Sequence, residues 1–206
     1  MKYKYYIWDV GGTLFDTTVT SVKAFSQVLR EFGQSATDKE IYKQLKETST
    51  GEAADFFIGK ERSQAFQLRY HAIETPMQEN PIMSPGARET LEKVVENGGK
   101  NFIISHRDLQ VVDFLETCHL IHYCSYVITS NDHFARKPSP ESILYLIDRF
   151  GVEPDKALMI GDRELDVLAG KNAGISSALY APDGFIQVKE ADYTIRHLSD
   201  ALSLGE

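Results

Sequence analysis

The chain has 206 residues, of which 42% are hydrophobic, 25% charged and 11% aromatic. This length exceeds one average domain and falls short of two at about 150 residues each, so we expect one core with an inserted subdomain. The composition is that of an ordinary globular protein and excludes disorder, collagen and coiled coil. The net charge of -8 argues against non-specific binding to nucleic acid or to an anionic membrane.

The sequence offers no signal for export or for stable covalent cross-linking. The N-terminal apolar run is interrupted at Asp9, well short of a signal-peptide core, and no stretch approaches the roughly 20 apolar residues of a membrane span. We therefore expect a cytoplasmic protein. Two cysteines, Cys118 and Cys124, are too few for disulfide bonds to stabilise a fold of this size, so we expect two reduced thiols. The scattered acidic charge gives no reason to expect more than a monomer or a homodimer.

The first predicted element is a buried strand over residues 3–10, because β-branched and aromatic residues fill it and Gly11-Gly12 ends the run. The apolar spacing then becomes helical. No strand pattern interrupts residues 17–80, so we expect this block to be an inserted helical subdomain. Its predicted helices cover residues 17–32, 38–47, 52–58 and 61–73.

Beyond residue 80, Ser84-Pro85-Gly86 predicts the start of a helix that Gly98-Gly99 ends. Strands and helices alternate after that point. Such alternation predicts an α/β fold with a doubly wound parallel sheet, in which residues 1–16 and 81–206 form the core and residues 17–80 the insertion. The predicted strands cover residues 101–105, 125–129, 157–160 and 175–180, with helices at 108–117, 140–150 and 165–173 and a last short strand with a helix.

Polar residues follow four of the predicted strands, at the edge where open α/β sheets bind their ligands. Each has an ordinary alternative: a carboxylate there caps a turn, a lone lysine is a surface charge, and a serine caps the next helix. Two carboxylates that converge would repel each other unless a cation lies between them, and Mg²⁺ fits oxygen-only ligation. The residues are Asp9 with Gly11 and Gly12, Ser105 with His106, Lys137, and Asp162 with Asp166.

The order of these residues resembles the haloacid dehalogenase superfamily and its phosphatases, over nearly the whole chain. Asp9-Val10-Gly11-Gly12-Thr13-Leu14 matches the first motif, Asp-x-Asp-Gly-Thr, except at the second Asp. Ser105, Lys137 and Gly161-Asp162 with Asp166 match the other three motifs in order. The helical block at 17–80 stands where members similar to phosphoglycolate phosphatase and β-phosphoglucomutase carry a cap.

This resemblance implies a Mg²⁺-dependent phosphatase that acts on a small phosphorylated metabolite beneath the cap. Asp9 would attack the phosphorus and form an aspartyl-phosphate. Asp9, Asp162 and the carbonyl of Gly11 would hold the ion, with Asp166 in support.

The resemblance also implies a set of phosphoryl-binding donors. These are the hydroxyl of Ser105, the ammonium of Lys137 and the backbone N–H groups of Gly11 and Gly12. Arg163 is expected to pair with acidic neighbours and is given no chemistry of its own.

Gly11 stands where the family has its second Asp, which protonates the leaving oxygen and later activates water. General acid–base help of this kind is worth about 10²- to 10⁴-fold in rate. Three interpretations stay open. His106 could replace the missing acid, although its alternative is a loop histidine that only packs locally. The substrate could have a good leaving group, such as an acyl phosphate, or the protein could bind a phosphorylated ligand without turnover. A fourth is C–P bond cleavage through a Schiff base on Lys43, Lys46 or Lys60, although lysines on a helix are usually solvated.

Overall fold

The computed structural model describes residues 1–205 and divides them into two compact units. The sheet unit consists of Met1–Phe15 and the chain from Met83 onward, and the helical unit is Asp16–Ile82. Within the described residues, no helix is long and apolar enough to cross a membrane. Cys118 and Cys124 are free thiols.

Six strands pair in parallel to form one sheet in the order β3-β2-β1-β4-β5-β6. The chain extends the sheet in one direction from β1 and then crosses back to extend it in the other. The predicted doubly wound parallel sheet is therefore confirmed. The strands are Tyr5–Trp8 (β1), Lys100–Ile104 (β2), Cys124–Ile128 (β3), Ala157–Gly161 (β4), Ser176–Tyr180 (β5) and Tyr193–Ile195 (β6).

Eight α-helices lie within the described residues, four in each unit. The helix predicted to begin at Ser84 begins at Ala87, because Gly86 has a φ of +79° and so lies outside the helical region. The helices are Thr18–Glu31 (α1), Asp38–Glu47 (α2), Thr50–Ile58 (α3), Lys60–Met77 (α4), Ala87–Glu96 (α5), Gln110–Thr117 (α6), Glu141–Phe150 (α7) and Glu164–Asn172 (α8).

Helices cover both faces of the sheet because its central strands are apolar on both sides. In β1, Tyr6 and Trp8 pack with residues of α5 and α6 on one face, whereas Ile7 packs with residues of α7 and α8 on the other. The indole Nε1 of Trp8 donates to Asn101 Oδ1 at 2.9 Å, and Asn101 Nδ2 donates to two backbone carbonyls, so the buried side-chain polar atoms of both residues are satisfied. A strand buried on both faces is typical of parallel sheets.

The helical unit has an apolar and aromatic core of its own. Phe25 and Phe66 lie at its centre with their rings 4.6 Å apart. Capping boxes at Thr37 and Ser49 each satisfy the N-cap N–H and one N–H in the first turn of α2 and α3. Local capping and a shared apolar stripe are sufficient to explain why these residues form helices.

Candidate active site

Two of the predicted carboxylates lie side by side at the carboxyl edge of the sheet. Trp8 at the end of β1 is paired with Ile160 in β4, and the N–H of Asp9 donates to the carbonyl of Ile160 at 2.9 Å. Asp162 follows the last residue of β4 directly. Since β1 and β4 flank the point where the strand order reverses, both buried carboxylates stand where doubly wound sheets bind ligands.

A third carboxylate joins them from the first turn of α8. Asp166 is fully buried, and its Oδ2 accepts a hydrogen bond from the backbone N–H of Arg163 at 3.2 Å. Asp9, Asp162 and Asp166 each offer an oxygen within 4.8 Å of the others. Burial raises the pKa of Asp166 to about 6, against the opposing effect of the nearby Lys137 charge.

Lys137 reaches into this group of carboxylates from the loop between β3 and α7. Its Nζ lies 2.5 Å from Oδ1 of Asp9 and 2.5 Å from Oδ1 of Asp166, and its side chain is almost wholly buried. Burial by itself would lower the pKa of Lys137, but Asp166 and Asp9 outweigh burial and raise it. The ammonium is therefore charged at neutral pH, and three carboxylates with one ammonium leave a formal charge of -2.

The residues present fit Mg²⁺. The donors are carboxylate oxygens, which hard cations prefer, and the formal charge is the one that a divalent cation neutralises. Two glycines give the carboxylates room. A Cβ on Gly12, where φ is +88°, would lie closer than 3.0 Å to the carboxylate of Asp162, and a Cβ on Gly161 would meet Asp166 in the same way. Side chains at these two positions would push the carboxylates out of place.

The turn after β1 differs from the prediction at one backbone donor. The N–H of Gly12 donates to the carbonyl of Phe15 at 2.7 Å and is used within the turn. The predicted phosphoryl contact from the Gly12 N–H is therefore not supported. What the structure shows at Gly12 is a positive φ and a close approach to Asp162.

Ser105 is buried just beyond the end of β2, which is the other neighbour of β1. Its Oγ accepts a hydrogen bond from the backbone N–H of Arg107 at 3.1 Å. Since α6 begins only at Gln110, Ser105 closes a local turn and does not cap the helix. A hydroxyl that accepts in this way retains its proton for donation to a ligand.

His106 connects two of the motif segments. Its Nε2 accepts the backbone N–H of Lys137 at 2.8 Å. Burial, followed by the charges of Lys137, Arg136 and Arg163, lowers the pKa of His106 to about 3. The imidazole is therefore neutral, with its proton on Nδ1, and Nε2 is occupied by the loop that carries Lys137. These contacts favour the packing alternative over a role as general acid.

The three lysines considered for a Schiff base all belong to the helical unit. Lys43 and Lys60 are exposed, and the Nζ of Lys46 lies 5.8 Å from the ring centre of Tyr42. These positions are typical of a solvated helical face and add no support to C–P bond cleavage.

Comparisons with known proteins agree with the geometry. The model of the family described as haloacid dehalogenase-like hydrolase matches residues 6–180. A phosphoglycolate phosphatase from Aquifex aeolicus is 27% identical over 206 residues, covering 96% of this chain and 94% of its own length. Pyrophosphatase PpaX from Oceanobacillus iheyensis is 24% identical, with 99% of this chain and 97% of that protein covered.

One solved structure extends the comparison. A hydrolase from Streptococcus pneumoniae TIGR4 has 34% sequence identity and a TM-score of 0.70, covering 99% of this chain and 100% of that one. The family model spans most of the sequence, and Lys137, from the third motif, contacts both Asp9 and Asp166. The chain belongs to the haloacid dehalogenase-like hydrolase family.

Proposed function

We propose that this protein is a Mg²⁺-dependent phosphatase of small phosphorylated metabolites, with Asp9 as its nucleophile. The observation that carries the proposal is the contact between Asp9 and Lys137 inside a buried group of carboxylates. Such a group is costly to bury and points to a functional site. The names of two relatives, phosphoglycolate phosphatase and pyrophosphatase, support a substrate that contains a phosphoryl group.

Asp9, Asp162 and the carbonyl of Gly11 would hold the Mg²⁺, and Asp166 would support them from α8. When bound, the ion would offset negative charge on the transferring phosphoryl group. Lys137 would keep Asp9 and Asp166 oriented through its two short contacts. These contacts would give Asp9 and Asp166 a defined direction before any substrate arrives.

In the proposed reaction, a carboxylate oxygen of Asp9 forms a bond to phosphorus. The bond from phosphorus to the leaving oxygen breaks, and its electron pair remains on that oxygen. Water then attacks the aspartyl-phosphate at phosphorus, which restores the carboxylate and releases phosphate, while the proton lost by the water passes to phosphate or to solvent.

The phosphoryl oxygens need hydrogen-bond donors placed where negative charge develops. Lys137 and the hydroxyl of Ser105 are two such donors at this edge of the sheet. The N–H of Gly11 is the third in our proposal, because the N–H of Gly12 is used within its own turn.

Gly11 supplies no proton to the leaving group, and the neutral His106 uses its Nε2 to accept the backbone N–H of Lys137. We therefore propose a slow or specialised phosphatase. The same two observations favour a second candidate, a protein that binds a phosphorylated ligand without turnover.

One panel of substrates tests both candidates. Phosphate release from acetyl phosphate, pyrophosphate, phosphoglycolate and a sugar phosphate is measured with and without Mg²⁺, using Asp9→Asn as the blank. Release that requires Mg²⁺ and disappears in Asp9→Asn supports the phosphatase. Tight binding of these compounds without release supports the second candidate. Release that survives in Asp9→Asn contradicts the proposed nucleophile.

A further inference from the structure

One half-buried side chain, the imidazole of His106, joins the two loops that carry Ser105 and Lys137. These loops follow β2 and β3, which are neighbours in the sheet. The proposed reaction takes one phosphoryl donor from each loop, whereas His106 transfers no proton in it. What the imidazole does instead is accept, through Nε2, the backbone N–H of Lys137 at 2.8 Å.

The loop that carries Lys137 has little buried surface to hold it in place. Within residues 130–136 only Phe134 is half-buried, and the others are exposed, as is Pro138 on the far side of Lys137. The side chain of Lys137 itself is 1% exposed. An exposed loop with few apolar contacts is mobile unless hydrogen bonds fix it. The placement of Lys137 therefore depends on polar contacts.

Backbone hydrogen bonds join the two loops close to the strands. The N–H of Ser105 donates to the carbonyl of Ile128 at 2.9 Å, just beyond the last residue of β2. The N–H of Ser130 then donates to the carbonyl of Arg107 at 2.8 Å. These two bonds extend the pairing of β2 with β3 into the loops, but they end well before Lys137.

Two side chains hold the loop again at Lys137. The Nε2 of His106 accepts the N–H of Lys137, and the Nδ2 of Asn172, the last residue of α8, donates to the carbonyl of Pro138 at 2.9 Å. The backbone is thus held on both sides of the Lys137 side chain. Because His106 directly follows Ser105, its imidazole ties the Lys137 backbone to the turn that presents the Ser105 hydroxyl.

The position of this backbone decides where the ammonium lies. A lysine side chain is a flexible four-carbon stem, and the Nζ of Lys137 lies 2.5 Å from Oδ1 of both Asp9 and Asp166. A shift of the Lys137 backbone would break these contacts or draw the carboxylates out of place. A misplacement of about 1 Å at a reacting group can cost about 10²-fold in rate.

We propose that His106 is a positioning residue for the two phosphoryl donors. Its imidazole holds the backbone of Lys137 against the turn of Ser105, and so fixes where the ammonium lies relative to the hydroxyl. A neutral imidazole can accept the N–H, whereas an imidazolium, with hydrogens on both nitrogens, cannot. In this role His106 touches no substrate. The inference rests on the proposed phosphatase function and concerns the same site.

Two amide variants separate the hydrogen bond from proton transfer. In His106→Gln the amide oxygen reaches as far as Nε2 and accepts the Lys137 N–H, but glutamine cannot act as a general acid. The side chain in His106→Asn is one methylene shorter and falls short of that N–H. With Mg²⁺, we expect kcat/KM to fall about 10²-fold in His106→Asn and by less than about tenfold in His106→Gln.

His122→Asn is the matched control, because His122 is exposed and lies just before β3, at the amino ends of the parallel strands. It should leave kcat/KM unchanged. Urea unfolding checks that each variant folds. If His106→Asn does not fold, His106→Gln decides alone: near-normal kcat/KM supports positioning, and a loss as large as about 10²-fold overturns it.

Two substrates distinguish positioning from acid catalysis. The loss in His106→Asn should be equal for acetyl phosphate and for a sugar phosphate, because the donors serve the phosphoryl group that both share. A general acid would matter more for the sugar phosphate, whose leaving alkoxide is the more basic. A larger loss on the sugar phosphate, or equal loss in His106→Gln and His106→Asn, would overturn the inference.

Binding and NMR supply readouts that do not depend on turnover. Calorimetric titration of inorganic phosphate in the presence of Mg²⁺ should show affinity about tenfold weaker in His106→Asn, and near the wild-type value in His106→Gln and His122→Asn. In the wild type, NMR should detect a scalar coupling across the hydrogen bond, between the amide nitrogen of Lys137 and Nε2 of His106. Equal phosphate affinities in all four proteins, or the absence of that coupling, would contradict the positioning role.

The blank Asp9→Asn keeps failure of this inference apart from failure of the phosphatase. If release disappears in Asp9→Asn, the phosphatase stands whatever the His106 variants show. Release that persists in Asp9→Asn would refute the phosphatase itself, and the phosphate titration would then test the positioning role on its own.

Discussion

The two units of this chain bury different kinds of side chain. The helical unit encloses an aromatic and aliphatic core around Phe25 and Phe66. The sheet unit has apolar cores on both faces of its sheet, and at one edge it also buries Lys137 against Asp9 and Asp166. Lys137 and Asp9 are 128 residues apart in sequence, so only the complete fold brings them together.

We interpret this difference as one between buried side chains that stabilise the fold and buried side chains that serve the proposed function. Removing an ion from water costs several kcal/mol, and apolar residues of similar volume often stabilise a fold as well or better. The aromatic core of the helical unit is explained by burial of apolar surface alone. Burial of apolar surface does not explain the buried charges of Lys137, Asp9 and Asp166 in the sheet unit. The chemistry that we propose for these residues does.

The largest effect is expected when the buried carboxylates Asp9 and Asp166 lose Lys137, the cation that they contact directly. Lys137→Met should reduce the stability of the sheet unit by about 3–5 kcal/mol, because Asp9 and Asp166 are left buried without their partner, and turnover should disappear. Urea unfolding followed by the fluorescence of Trp8, the only tryptophan in the chain, reports on the sheet unit.

Lys93→Met is the matched control for this prediction. Lys93 pairs with Glu96 at 2.8 Å, but both side chains are exposed. Its loss should change stability by no more than about 0.5 kcal/mol. An equally small loss of stability in Lys137→Met would contradict the claim that these buried charges distinguish the sheet unit from the helical unit.

Replacing one glycine in each unit tests the same comparison, with a smaller expected loss of stability. Gly12 in the sheet unit and Gly33 in the helical unit both have a positive φ, at +88° and +78°. Replacement by alanine should cost each about 1–2 kcal/mol in the backbone. Only in Gly12→Ala does the new Cβ strike Asp162, while a Cβ on Gly33 meets nothing within 4 Å.

We therefore expect Gly12→Ala to lose at least about tenfold in Mg²⁺ affinity, in addition to its loss of stability. Gly33→Ala should lose stability alone. Calorimetric titration with Mg²⁺ and urea unfolding measure the two effects separately. Equal Mg²⁺ affinities in the two variants would argue against a site formed with Asp162.

The smallest effect concerns the protonation of His106. Because burial and nearby cations lower its pKa to about 3, His106 should remain neutral from pH 8 down to pH 5. NMR of the imidazole should show no titration over this range in the folded protein, but a midpoint near the ordinary value of about 6.5 in urea. A folded-state midpoint near 6.5 would return His106 to the candidates for a general acid.

The local elements of the fold could be read from the sequence more fully than the contacts between distant segments. The prediction for α2 matches the structure from Asp38 to Glu47, because helical spacing is a short-range signal. Helix α4 continues to Met77 although Pro76 lies in its last turn, beyond the predicted end at residue 73. Tertiary packing extends a helix in ways that spacing alone does not show.

The motif order singled out the three carboxylates and the lysine that the structure brings together, but it did not predict their individual bonds. The contact from the Lys137 N–H to His106 and the use of the Gly12 N–H by Phe15 depend on loop and turn conformation, which residue types alone do not determine.

The central claim is that Asp9, Asp162 and Asp166 form a single site for a divalent cation. Calorimetric titration of Mg²⁺ into the wild-type protein and into Asp162→Asn tests this directly, with Asp155→Asn, an exposed carboxylate before β4, as the control. We predict one ion per chain in the wild type and in the control, and binding at least about tenfold weaker in Asp162→Asn. Equal binding in all three proteins would contradict the claim.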